Sequence, residues 1–171
     1  MWCTTGHSAP SSGYSLRIVF SECGSLVTMR LNSHSRLNLI TALLQAIKAG
    51  ADEALMLDPQ GFVSSCNATN FFWARGGEVF TSTGDYCFHG VTRANVIGLC
   101  RRHGVPVTLG NFALRDVYSA EEAFVTGTFG GLTPVREIDG RPLAALPGPV
   151  TARLRGLYAS LKDSEAARFS A

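Results

Sequence analysis

Apolar residues recur at Leu37, Ile40, Leu44 and Ile47, at intervals of three and four. That spacing predicts an amphipathic helix over 35–49, with Ser35 at its start and Gly50 as its stop. A different rhythm follows. Short apolar runs at Glu53–Leu57, Phe62–Ser65, Asn70–Ala74 and Glu78–Phe80 are separated by Asp58-Pro59-Gln60-Gly61 and by Gly76-Gly77. Strand, turn and strand in succession predict an antiparallel meander. Helical spacing returns over 92–103, where Val96, Ile97, Leu99 and Cys100 form an apolar stripe and Thr92 is the expected cap. Further on, the pattern predicts strands at Val105–Thr108, Glu122–Thr126 and Pro134–Ile138, a short helix or turn at Leu114–Ala120, and a C-terminal helix from Val150. Residues 1–28 are rich in Ser, Gly and Thr and offer one strand, Ser15–Phe20, so they are expected to be a lead-in to a domain over 29–171. Helices and strands mix without regular βαβ alternation, which favours an α+β fold.

Composition narrows the function classes. The 171 residues suit one domain with a real core. Apolar residues make up 46% and charged residues 16%, and the formal net charge is +2 without a basic block. No electrostatic footprint for nucleic acid is present, and the apolar runs are far short of a membrane span. The N-terminus lacks the charged and apolar regions of a secretory signal, so the expected location is cytoplasmic. The five cysteines, Cys3, Cys23, Cys66, Cys87 and Cys100, are odd in number and form no CxxC pair. Neither a disulfide framework nor a zinc site fits that spacing, and buried or idle thiols are expected. Only two lysines occur, Lys48 and Lys162.

Two segments carry anion chemistry. Gly90-Val91-Thr92-Arg93 opens a helix, where free N–H groups and partial positive charge can receive a phosphate. Thr126-Gly127-Thr128-Phe129-Gly130-Gly131 follows a strand, and a glycine-rich turn there can present several N–H groups and a hydroxyl. Taken singly, each is also what an ordinary helix start or a glycine loop looks like. Neither has the spacing of a nucleotide P-loop.

Taken in order, the segments resemble the class IV aminotransferases of the branched-chain type. The resemblance runs through Ala51–Asp58, Gly61-Phe62-Val63, Asn67–Phe72, Gly90-Val91-Thr92-Arg93, Glu121–Thr128, Pro134-Val135, Asp139-Gly140 and Gly148–Thr151. It implies the C-terminal, cofactor-binding domain of that fold, a mixed sheet or pseudo-barrel with flanking helices, and pyridoxal 5'-phosphate (PLP) as cofactor. It also implies an amino acid and a 2-oxo acid as substrates, and a homodimer or association with a related chain. By the same resemblance, Gly90, Val91, Thr92 and Thr128 meet the cofactor phosphate. Phe129 and Gly130 lie near phosphate or substrate carboxylate, and Val79 packs under the pyridine ring.

Three departures bear on activity. The family's Schiff-base lysine lies roughly twenty residues before the position of Glu53, which points to Asn32, flanked by Arg30 and Arg36. Arginine stays protonated and forms no ordinary imine. The family's carboxylate at the ring nitrogen falls on Ser65, whose hydroxyl can bond a neutral pyridine but does not hold its proton on. Residues 1–28 do not resemble the family's smaller N-terminal domain, which is expected to be missing. The sequence therefore supports an impaired transaminase, a non-catalytic PLP- or phosphate-binding module acting beside a full-length relative, or a subunit fragment that needs a partner.

Overall fold

The computed structural model describes residues 16–21 and 36–169. In chain order they form β1 (Leu16–Ser21), α1 (Leu37–Lys48), β2 (Glu53–Leu57), β3 (Val63–Cys66), β4 (Asn70–Arg75) and β5 (Glu78–Ser82). There follow α2 (Val91–Arg102), β6 (Val107–Gly110), α3 (Leu114–Val117), β7 (Glu122–Gly127), β8 (Gly131–Ile138), β9 (Arg141–Pro142) and α4 (Pro149–Phe169). The strands make one mixed sheet in the order β3-β2-β1-β8-β7-β4-β5-β6, with β9 on β8.

The predicted meander from β2 to β5 is not what forms. β2 and β3 pair as one hairpin and β4 and β5 as another, but β1, β8 and β7 stand between them. β1 is parallel to both of its neighbours, with Ile18 opposite Glu53 on one side and Ile138 on the other. Part of the expected lead-in is thus a central strand. The sheet curls so that its β3 edge returns toward the far side. Val63 donates its N–H to the Phe112 carbonyl at 2.7 Å, and Ser64 Oγ donates to the Tyr86 carbonyl at 2.7 Å. These bonds close a pseudo-barrel.

β4 is buried on both faces because successive side chains point oppositely. Phe71 and Trp73 enter the barrel core with Ile18, Leu55, Val125 and Ile138. Phe72 and Ala74 face the other way and pack with Val79, Val96, Cys100, Phe124 and Leu154 beneath α2 and α4. Phe72 stacks on Phe124 with ring centroids 5.1 Å apart, and Trp73 meets Phe112 edge-on at 4.9 Å. Each such buried ring contributes about 1.5–3 kcal/mol.

The helices depart from the pattern in two ways. α1 packs on the sheet through Ala42 and Ala46, which are fully buried with Ala54 and Met56. The stripe that predicted the helix, Leu37, Ile40, Leu44 and Ile47, faces outward, 46–76% exposed. Small alanines let the helix approach β1 and β2 closely, and the large residues are left on the other side. In α2, Gly90 rather than Thr92 is the N-cap, and no side chain caps the helix. Thr92 lies inside the first turn and is buried.

α4 is anchored at its start by a buried carboxylate. Glu122, 5% exposed, accepts from Val150 N at 3.1 Å and Thr151 N at 2.8 Å. From there the helix runs along the β7–β8 hairpin from its open end to its turn, where Tyr158 lies against Gly131.

Candidate functional site

The connection from β3 to β4 builds one rim of the barrel, and Asn70 stands at its centre. Asn70 pairs in register with Thr126 at the end of β7. Its Nδ2 donates to the Phe88 carbonyl at 2.8 Å and, at 3.4 Å, to Ser65 Oγ. Its Oδ1 lies 2.6 Å from where a Cβ on Gly90 would stand, so only glycine fits at the head of α2. The head of α2 and the end of β7, far apart in sequence, thus both adjoin Asn70.

Both bring unspent hydrogen-bonding capacity. The first turn of α2 is uncapped, which leaves its leading N–H groups and positive end dipole toward the rim. The Thr126 hydroxyl is buried without a hydrogen-bond partner among the described residues, as is Arg93 Nε. Arg93 itself is buried and donates through Nη2 to the Ser82 carbonyl at 2.8 Å. His89 is tied to the Gly84 carbonyl at 2.8 Å. An uncapped helix start and a buried unpartnered hydroxyl are what an anionic oxygen would satisfy.

The expected site residues divide accordingly. Gly90, Val91 and Thr92 lie at the uncapped helix start. Thr128, Phe129 and Gly130 form the exposed turn between β7 and β8, with Phe129 99% exposed. Val79 is fully buried in the cluster beneath α2. Ser65 lies at the rim, but its hydroxyl donates to the Thr69 carbonyl at 2.7 Å, so its proton is not free for a ring nitrogen. Asn32 and Arg30 lie outside the described residues, as do Cys3 and Cys23; Arg36 is the exposed N-cap of α1. Lys48 and Lys162 are both exposed, and neither is among the residues gathered around Asn70.

The sequence reading missed Asn70 and Thr126 as site residues, and with them a titratable group. Glu53 accepts from Thr69 Oγ1 at 2.6 Å. Burial pushes its carboxyl up to about 7, against the opposing pull of the Thr69 hydrogen bond. Cys66 lies beside it, and burial, reinforced by the Glu53 charge, drives the thiol well above its ordinary value. Such a thiol is not a ready nucleophile. The Thr69 methyl lies 3.4 Å from where a Cβ on Gly127 would stand, which links the Glu53 side of the rim to the β7–β8 turn. Among the described residues no cluster of His, Cys, Asp and Glu could hold a metal, and no helix is long and apolar enough to cross a membrane.

The family model for class IV aminotransferases matches residues 25–138. The chain is 38% identical over 136 residues to a branched-chain-amino-acid aminotransferase of Pseudomonas aeruginosa, covering 79% of this chain and 44% of that protein. It is 39% identical over 135 residues to branched-chain-amino-acid aminotransferase-like protein 2 of Arabidopsis thaliana, covering 78% and 24%. The crystal structure of the branched-chain amino acid aminotransferase from Thermobaculum terrenum in its PLP form superposes with a TM-score of 0.83 at 28% identity, over 88% of this chain and 52% of that one. The chain therefore spans about half the length, or less, of the relatives it matches. Measured against a pyridoxal-type cofactor, the phosphate end fits, since the α2 start is uncapped and Thr126 is unpartnered. At the ring end, the Ser65 hydroxyl is engaged with the Thr69 carbonyl and Val79 is buried. With its motifs in order on a curled mixed sheet, the chain belongs to the class IV aminotransferase family and is similar to its branched-chain members.

Proposed function

We propose that this chain is a PLP-binding relative of the branched-chain aminotransferases that keeps the phosphate cradle and, by itself, transfers amino groups poorly. The observation that carries the reading is the meeting of an uncapped helix start and a buried, unpartnered Thr126 hydroxyl around Asn70. In this reading Val91 and Thr92 receive the phosphate through the α2 backbone, Thr126 donates its hydroxyl, and Asn70 holds the two segments together. Thr128 and the Phe129-Gly130 backbone form the rim nearest the substrate carboxylate. When bound, the cofactor supplies the electron sink for moving an amino group between an amino acid, of branched-chain type, and a 2-oxo acid. The residues against this being an efficient enzyme are Ser65, whose proton is spent on Thr69, and the family lysine position, which falls near Asn32.

The Ser65 geometry also favours a second reading, a non-catalytic PLP- or phosphate-binding module that assembles with a second copy or a related chain. The outward apolar stripe of α1 gives that assembly a surface. Equilibrium binding of PLP, followed by its absorbance and competed by inorganic phosphate, tests both readings. Saturable binding displaced by phosphate supports the cradle. Binding that phosphate does not displace, or none at all, contradicts it. Transaminase assays with branched-chain amino acids and 2-oxoglutarate then separate the impaired enzyme from the module.

A further inference from the structure

A second cationic cleft lies away from the α2 start, between the β7–β8 turn and α4. Its volume is about 170 Å³, and its lining includes Gly130, Gly131, Arg155, Tyr158, Ala159 and Lys162. Arg155 and Lys162 are seven residues apart, two helical turns, so they rise from the same face of α4. Between them, Ala159 is too small to fill the space, and Tyr158 forms a wall, its ring centroid 5.6 Å from Lys162 Nζ. Among the described residues neither cation is held by a carboxylate. Like charges on one helical face repel one another, and an anion seated between them removes that repulsion.

The opposite rim is built to stay open. Gly131 has φ +60°, a conformation costly for other residues, and a Cβ there would meet the Tyr158 ring at 3.2 Å. A Cβ on Gly130 would stand 2.7 Å from Thr133 Oγ1. A side chain at Gly131 would crowd the Tyr158 wall of the cleft. A water takes up about 30 Å³ in the liquid, so the volume accommodates a small tetrahedral dianion with some of its hydration. A guanidinium fork with a flexible ammonium two turns away matches a phosphoryl group, which takes paired N–H donors on one side and a point charge on the other.

We propose that the cleft between the β7–β8 turn and α4 binds a phosphoryl group through Arg155 and Lys162. The site is separate from the Asn70 rim and does not depend on PLP occupying that rim. Gly130, which lines the cleft, lies four residues after Thr126 of the rim.

The test is a titration of the ¹⁵N-labelled full chain with inorganic phosphate at constant ionic strength, with chloride as the balancing anion. The expected result is saturable movement of the Gly130, Gly131 and Arg155 amide signals. R155A and K162A each weaken that response about tenfold, as expected for loss of a charge-assisted contact, and R155K weakens it less than R155A. Both side chains are at least partly exposed, so the variants keep the fold, which circular dichroism checks. Movement confined to Val91, Thr92 and Arg93, or a response unchanged in R155A and K162A, overturns the proposal while leaving the Asn70 cradle standing. Movement at Gly130 and Arg155 that is undiminished in a T126V variant with weakened PLP binding supports the cleft and shows it to be independent of the cradle.

Discussion

Replacing Glu53 with glutamine makes stability less dependent on pH. The Glu53 carboxyl is pushed up to about 7 by burial, while an unfolded glutamate titrates near 4.5. A carboxyl that is harder to ionise when folded contributes stability that is fully present below the unfolded value and is lost as pH rises through the folded one. The loss proceeds at about 1.4 kcal/mol per pH unit across that window. Between pH 5.5 and pH 8 the wild-type chain therefore gives up about 2 kcal/mol at this site. Glu53→Gln keeps an acceptor for the Thr69 hydroxyl and removes the ionisation. Urea unfolding of both proteins at the two pH values measures the effect. The variant is expected to gain about 2 kcal/mol relative to wild type on going from pH 5.5 to pH 8. A difference between the two proteins that stays constant over this range refutes the reasoning, because it would mean that Glu53 ionises as freely in the folded chain as in the unfolded one.

Four other outcomes follow from the packing. Glu122→Gln removes the charge that receives two N–H groups at the start of α4 and is expected to cost about 2 kcal/mol in denaturant unfolding. Gly148→Ala, whose Cβ would collide with the same carboxyl, is expected to be destabilising and strongly non-additive with it. Thr126→Val removes a buried, unpartnered hydroxyl and is expected to raise apo stability by about 1 kcal/mol while weakening PLP binding several-fold; a variant with lower stability and unaltered binding contradicts the assignment. Leu44→Gln with Ile47→Gln, on the outward face of α1, is expected to change stability by less than about 0.5 kcal/mol and to lower self-association in sedimentation velocity.

The helical spacing of Leu37, Ile40, Leu44 and Ile47 located α1 correctly and implied the wrong buried face. Periodicity says that one side is apolar; it does not say whether that side or the Ala42–Ala46 side meets the sheet, and close approach favoured the alanines. The strands from 53 to 82 were legible because alternation and turn residues are local signals. Their placement was not, since β1, β8 and β7 enter between the two hairpins from remote parts of the chain. At the site, the α2 start and the β7–β8 turn could be read as anion-binding from glycine placement. Their meeting at Asn70 could not, because it rests on the pairing of β4 with the distant β7. Nothing local in the sequence marks Glu53 as turned inward to Thr69 or Glu122 as lying beneath the start of α4; only the folded chain shows it.

In the proposed function the chain holds PLP by its phosphate and not by a covalent lysine link. Its most direct test is borohydride reduction of the chain with one equivalent of PLP, followed by peptide mass spectrometry, with binding confirmed in parallel. The expected result is phosphate-competed binding and no reduced PLP adduct on either Lys48 or Lys162. A stoichiometric adduct on one of these two lysines would contradict it.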